Sequence, residues 1–138
     1  STFKSHNIFI LKEYIMGFLL FIVAIILNAI LLPVALIWAI VEAFVNRGIG
    51  AAFKRINEYF FNLAISMDQF GNTTCKELLN DALIKHSSPH KFGHPDETVS
   101  SVLGKNKREG TLLKTGRALD WSLDKLDDNH SINSIEQE

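Results

Sequence analysis

The sequence predicts an all-α membrane protein: one long transmembrane helix, an amphipathic interfacial helix and a small helical C-terminal domain. Three observations carry that reading. Residues 14–45 form a 32-residue apolar run interrupted only by Asn28, Pro33 and Glu42. Beyond it, large apolar residues recur at helical spacing from Phe53 to Met67. Charge gathers at the far end, where residues 69–138 hold 9 Lys/Arg, 11 Asp/Glu and four of the five His. No alternating strand pattern occurs anywhere. The expected boundaries are a flank at 1–13, a membrane segment at 14–46, an amphipathic helix at 49–69, a helical domain at 70–130 and a flexible acidic tail at 131–138. A net charge of −1 over 138 residues gives no reason to expect a nucleic-acid partner. The single cysteine, Cys75, excludes an intramolecular disulfide framework.

A bilayer core about 30 Å thick needs roughly 20 apolar residues as helix, and the run exceeds that. A signal peptide has an apolar region of only about 7–15 residues before a small-residue cleavage site. Val41-Glu42-Ala43 is a poor match to such a site. A single span suits the aromatic markers, because Tyr14 to Trp38 covers roughly 36 Å of helix and sets both rings at interfaces. Pro33 removes a backbone donor near Ala29 and kinks such a helix. The alternative is a shallow hairpin turning near Asn28, with both ends on one side. In a spanning helix Asn28 sits near the bilayer centre. Its amide either bonds across a helix interface, for roughly 0.6–2 kcal/mol, or bonds to its own backbone. Lys4, Lys12 and the free amine on one flank balance Arg47, Lys54 and Arg55 on the other. A cytoplasmic C-terminal domain is favoured because the larger, disulfide-free part then needs no export.

Gly48 and Gly50 break the first helix. In the second, Phe53, Ile56, Phe60, Ala64 and Met67 follow at +3, +4, +4 and +3, with Lys54, Arg55, Asn57, Glu58, Asn62 and Asp68 on the remaining surface. Basic residues at the start and aromatics on the apolar face suit a helix in the headgroup zone. The same stripe could equally pack as core against the helices that follow.

Those helices are expected at about 73–85, capped by Thr73 or Thr74, and at about 111–127, with Leu112, Leu119, Leu123 and Leu126 inward. Between them "GKNKREG", residues 104–110, reads as a basic loop. The segment "HSSPHKFGHPDETVSS" raises a separate question, because His86, His90 and His94 recur every four residues. Pro89, Gly93 and Pro95 make a helix there untenable, so the three rings do not share a face, and no metal is expected. Pro95 suits a first helical position, which would put Asp96 and Glu97 in a first turn and let Gly104 end a short helix. Adjacent carboxylates on a helix diverge by about 100°, so they do not form an acid/base pair.

"INEYFFNLAISMDQFGN", "FGHPDETVSS", "GRALDWSLD" and "DNH" together resemble a family of small, mostly uncharacterised phage and prophage proteins. Asp68, Gln69, Asn72, Gly93, Pro95, Asp96, Glu97, Thr98, Ser100 and His130 fall on the family pattern, over residues 56–130. Val102 stands where the pattern has Arg, Ser131 where it has Cys, and residues 73–92 are an insertion. The resemblance leaves out the membrane span and implies a phage-related protein. It also marks Asp68, Gln69, Asn72, His94, Asp96, Glu97, Thr98, Ser100 and His130 as a candidate polar cluster. Asn28 is the candidate helix–helix contact. The function expected is non-enzymatic, by self-association and contact with the lipid bilayer or a protein partner. No cofactor or catalytic residue is implied. The alternatives are a holin-like pore, and a membrane-anchored hydrolase or metal protein using Asp68, His94, Asp96, Glu97 and His130.

Overall fold

The structure, a computed structural model, describes residues 2–135, and side chains over 15–46 and 48–135. The chain folds into helices α1 (Thr2–Arg47), α2 (Ile49–Thr74), α3 (Lys76–Leu83), α4 (Val99–Glu109), α5 (Lys114–Asp124) and α6 (His130–Asn133). They form two compact units, residues 1–59 and 60–138, with α2 running through the boundary.

In the N-terminal unit, α1 is one helix that passes through Pro33 without a break. The hairpin alternative therefore has no turn at Asn28. Residues 15–46 are long and apolar enough to cross a membrane. The Asn28 amide donates to the carbonyl of Ala24 at 2.9 Å, the intrahelical arrangement. Trp38 is exposed, while the side chains of Tyr14, Lys4, Lys12 and Arg47 lie outside the described set. Gly48 ends α1 in left-handed geometry at φ +74°, and Ala43 and Ala52 on either side of the turn are fully buried. Glu42, the one acid in the apolar run, pairs with Arg55 at 3.2 Å. Phe44 meets Phe53 edge to face at 5.8 Å.

α2 extends five residues past its expected end at 69. Thr73 and Thr74 are not caps for the next helix but its last turn, and their hydroxyls donate back to Gln69 and Phe70 carbonyls. Phe60, Ala64 and Met67 are exposed. The apolar stripe is therefore not the core of the C-terminal unit. That unit instead meets a neighbouring polar strip of α2, Asp68, Gln69 and Asn72.

The core of the C-terminal unit is Leu83, Ile84, Phe92, Val102, Leu103 and Leu112, with Leu79, Ala82, Val99, Leu119 and Leu123 packed on it. α3 and α5 occupy the two expected helical stretches with tighter limits. Leu112 lies before α5 because it forms an antiparallel bridge to Ile84, flanked by bonds from Lys85 N–H to Thr111 C=O and Leu113 N–H to Leu83 C=O. Leu126, expected inside, is exposed, as is Leu78, and Phe92 fills the centre instead.

The expected basic loop at 104–110 is wrong. Residues 104–109 continue α4, which stops at Gly110, φ +67°, whose N–H reaches the carbonyls of Asn106 and Lys107. Gly104 is mid-helix for another reason. A Cβ there would run into the backbone carbonyl of Ser131, so the glycine lets α6 lie directly against α4. The expected flexible tail is corrected with it: His130–Asn133 is helical and Ser131 is fully buried. Residues 136–138 lie outside the described residues.

Lys107, from the supposed loop, bridges Asp124 at 2.8 Å and Asp120 at 2.9 Å on α5. Hydrogen bonds that Lys107 donates to these carboxylates, Asp124 first, hold its pKa above its ordinary value of 10.5. A raised lysine pKa stabilises the fold fully below the unfolded value, and that contribution is lost as pH rises through the folded value. Melting of wild type and Lys107→Met should therefore differ constantly near neutrality and converge above pH 10.5. A difference that persists unchanged into strong alkali would contradict the pairing.

Candidate functional site

The segment between α3 and α4 is extended and proline-interrupted, so its backbone groups have no helical partners. Three asparagines supply them. A side-chain amide carries one acceptor and two donors and can stand in for a neighbouring peptide. Asn72 is completely buried. It accepts from Gly93 N–H at 2.9 Å and donates to the carbonyls of His94 (3.0 Å) and Glu97 (2.6 Å). Asn80 pairs reciprocally with the backbone N–H and C=O of Phe92, which anchors that ring in the core. Asn106, also fully buried, donates to His90 and Val102 carbonyls and accepts from the hydroxyls of Ser88 and Thr111.

The rest of the cluster follows the same logic. Asp68 Oδ2 accepts from the backbone N–H (3.3 Å) and hydroxyl (2.7 Å) of Ser100 in the first turn of α4. There a carboxylate favours both the unsatisfied N–H groups and the positive helix end. Gln69 donates to the Asp96 carbonyl at 3.2 Å. Thr98 is the residue before α4, and its hydroxyl accepts from Ser101 N–H at 3.0 Å.

The expectation that Asp96 and Glu97 open the helix is thus overturned. α4 begins at Val99, both acids lie in the preceding turn, and the first helical turn holds no acid. The carboxylate that serves this helix start is Asp68, contributed from α2. Asp96 is exposed. Glu97 points inward to Lys105 at 2.9 Å, with side chains 17% and 8% exposed respectively, and accepts from Ser101 Oγ. Removing one partner of so enclosed a pair leaves an uncompensated charge, which is far more costly than the pair's net worth.

The structure therefore brings Asp68, Gln69, Asn72, His94, Asp96, Glu97, Thr98 and Ser100 together, but mostly through backbone atoms of the 93–100 segment. His94 participates by its carbonyl and by Nδ1, which accepts from Asp96 N–H at 3.3 Å. His86, His90 and His94 do not converge. Among the described residues no group of three His, Cys, Asp or Glu is placed to hold a metal ion. Sequence reasoning missed Asn80, Ser88, Lys105 and Asn106. The signal available was that asparagines border a segment lacking regular backbone partners.

His130 reaches the cluster's edge from the other end of the chain. Its Nδ1 is 3.2 Å from Asp127. It lines an open cleft of about 340 Å³ with Asp68 and Thr98, opposite an apolar wall of Phe61, Ala64 and Ile65 from α2. Asn133 and Ser134 complete the rim. The Ser100 hydroxyl is engaged by the Asp68 carboxylate and not by a histidine. Against family models, curated proteins and solved structures, the chain has no match.

Proposed function

We propose that this chain is a phage-type integral membrane protein that acts without catalysis. In this reading α1 anchors it in a bacterial inner membrane or a virion-associated bilayer. The C-terminal unit, on the cytoplasmic side, is a rigid body for self-association or contact with a protein partner. The process served is modulation of the host envelope, of lysis or of superinfection, or a virion or entry role. The observation that carries the non-enzymatic part is the use of the polar cluster. Asp68, Gln69 and Asn72 are engaged in holding the backbone of 93–100, a structural task that accounts for them without chemistry. The exposed Phe60, Ala64 and Met67 on α2, with Phe53 nearer the span, support an interfacial helix whose apolar face enters the headgroup zone. Self-association has a route through Asn28, whose side-chain oxygen remains an acceptor for a neighbouring helix.

Carbonate extraction of membranes from expressing cells tests the anchor. The 138-residue chain, 15.5 kDa, is expected in the pellet with its apolar segment intact. Release into the supernatant, or a product shortened by removal of the apolar segment, would defeat the reading. Leakage of a trapped dye on expression would instead favour the holin-like alternative.

A further inference from the structure

The cleft beside the polar cluster has a composition that selects a ligand. Its volume of about 340 Å³ falls within the range of roughly 300–1,000 Å³ of small-molecule sites. Phe61, Ala64, Ile65 and Asp68 follow one another on α2 at +3, +1 and +3, so one side of the helix offers an apolar wall and then a carboxylate. Asp68 uses Oδ2 for both bonds from Ser100. Its Oδ1 has no partner among the described residues. Asn133 donates through Nδ2 to the Asp128 carbonyl, which leaves its own oxygen as an acceptor. Ser134 donates its hydroxyl proton to the His130 carbonyl and keeps its lone pairs. Among the described residues no lysine or arginine lines the cleft.

From this geometry we infer that the cleft binds a primary ammonium group carried on an apolar stem. An ammonium has three N–H donors and no acceptor. Asp68, Asn133 and Ser134 line one space and between them keep three uncommitted acceptors, Asp68 Oδ1, Asn133 Oδ1 and the Ser134 hydroxyl oxygen, the first of them charged. Phe61 and Ile65 accommodate the stem, and the Phe61 ring face adds attraction for the cation. An anionic ligand would meet the Asp68 carboxylate, and the one histidine of the described lining, His130, already faces Asp127, so the site discriminates by charge. The support is rigid, because Asp68 is fixed by two bonds to α4 and Thr98 is buried. Two sources carry this chemistry: the ethanolamine headgroup of a phospholipid and a free alkylamine. The inference does not depend on the non-enzymatic reading and stands or falls separately from carbonate extraction.

The test is an amide chemical-shift titration of the full chain in maltoside micelles, with hexylamine and hexanoate as probes. Hexylamine is expected to shift residues 61–68, 98 and 130–134 saturably, and hexanoate to leave them unmoved. Asp68→Asn keeps an acceptor for Ser100 and so keeps the fold, but removes the charge. It should weaken hexylamine by about tenfold or more. Ala64→Trp, at an exposed position, should fill the cleft and abolish the response while the α4 signals stay in place. In nanodiscs, movement of the same amides with ethanolamine phospholipid but not with glycerol phospholipid assigns the headgroup as the source. Hexylamine binding without that lipid response assigns a free amine, and either result upholds the site. Equal responses to hexylamine and hexanoate, or undiminished hexylamine binding in Asp68→Asn, overturns it.

Discussion

Asn72→Ala is expected to lower the stability of the C-terminal unit by about 3–5 kcal/mol, a large fraction of what a small domain possesses. The substitution removes little apolar area. Its effect comes from stranding the Gly93 N–H and the Glu97 carbonyl, and from taking one of two donors from the His94 carbonyl, which keeps the Glu97 N–H; Asn72 serves all three from a fully buried position. A buried backbone group without a partner costs about 1–3 kcal/mol, and water entering the vacated space recovers part of that. Asn72→Asp separates the contributions, since it keeps an acceptor for Gly93 but loses both donors. It should lie at least as low as alanine at neutral pH, where a charge is added to a buried position. Chemical denaturation of the full chain in detergent, followed through the α4 amides, checks both. Wild-type stability in Asn72→Ala would mean that the 93–97 segment is not held from α2.

Gly104→Ala should destabilise by about 2–4 kcal/mol through overpacking, and the sign is the informative part. Judged by helix propensity alone, alanine inside α4 should stabilise by about 1 kcal/mol. The added methyl, however, would meet the Ser131 carbonyl and the Ile135 side chain. Backbone cannot yield as a flexible side-chain end can, so α6 has to move away from α4. The same denaturation experiment should show the loss, with amides of residues 130–135 losing protection first. A stabilised Gly104→Ala protein would show that α6 does not lie against α4.

The contrast between these two residues explains what could be read from the sequence. Asn72 could be flagged only through the family resemblance, and its partners could not be read at all. They are backbone atoms more than twenty positions away, and a hydrogen bond to a backbone leaves no trace in residue type. Gly104 was misassigned because glycine signals two different things, a left-handed stop and a close approach. The stop is at Gly110, six residues later, and the intervening Lys105, Asn106 and Lys107 looked like solvated loop only because each one's partner is distant. Glu97 for Lys105, Ser88 for Asn106 and Asp120 with Asp124 for Lys107 convert a polar run into an interior helix. Local patterns fared better. The all-apolar run gave α1, since composition over 32 residues needs no knowledge of distant contacts. The prolines correctly kept 86–95 out of a helix, because that constraint lies within the local backbone. The helix start was half legible: the first helical position was expected at Pro95, four residues before Val99, and the carboxylate belonging to it is Asp68 and not Asp96 or Glu97.

The central claim is that side chains of α2 hold the backbone of 93–100 in place. Amide hydrogen exchange at Gly93 and Ser100 tests it most directly, because those two N–H groups donate to Asn72 and Asp68 and to nothing in their own segment. Both should exchange as slowly as the interior amides of α4 in the wild-type chain. In Asn72→Ala, Gly93 should lose that protection, while Asp68→Ala should release Ser100. Rapid exchange of both amides in the wild type, while Val102 and Leu103 remain protected, would contradict the account.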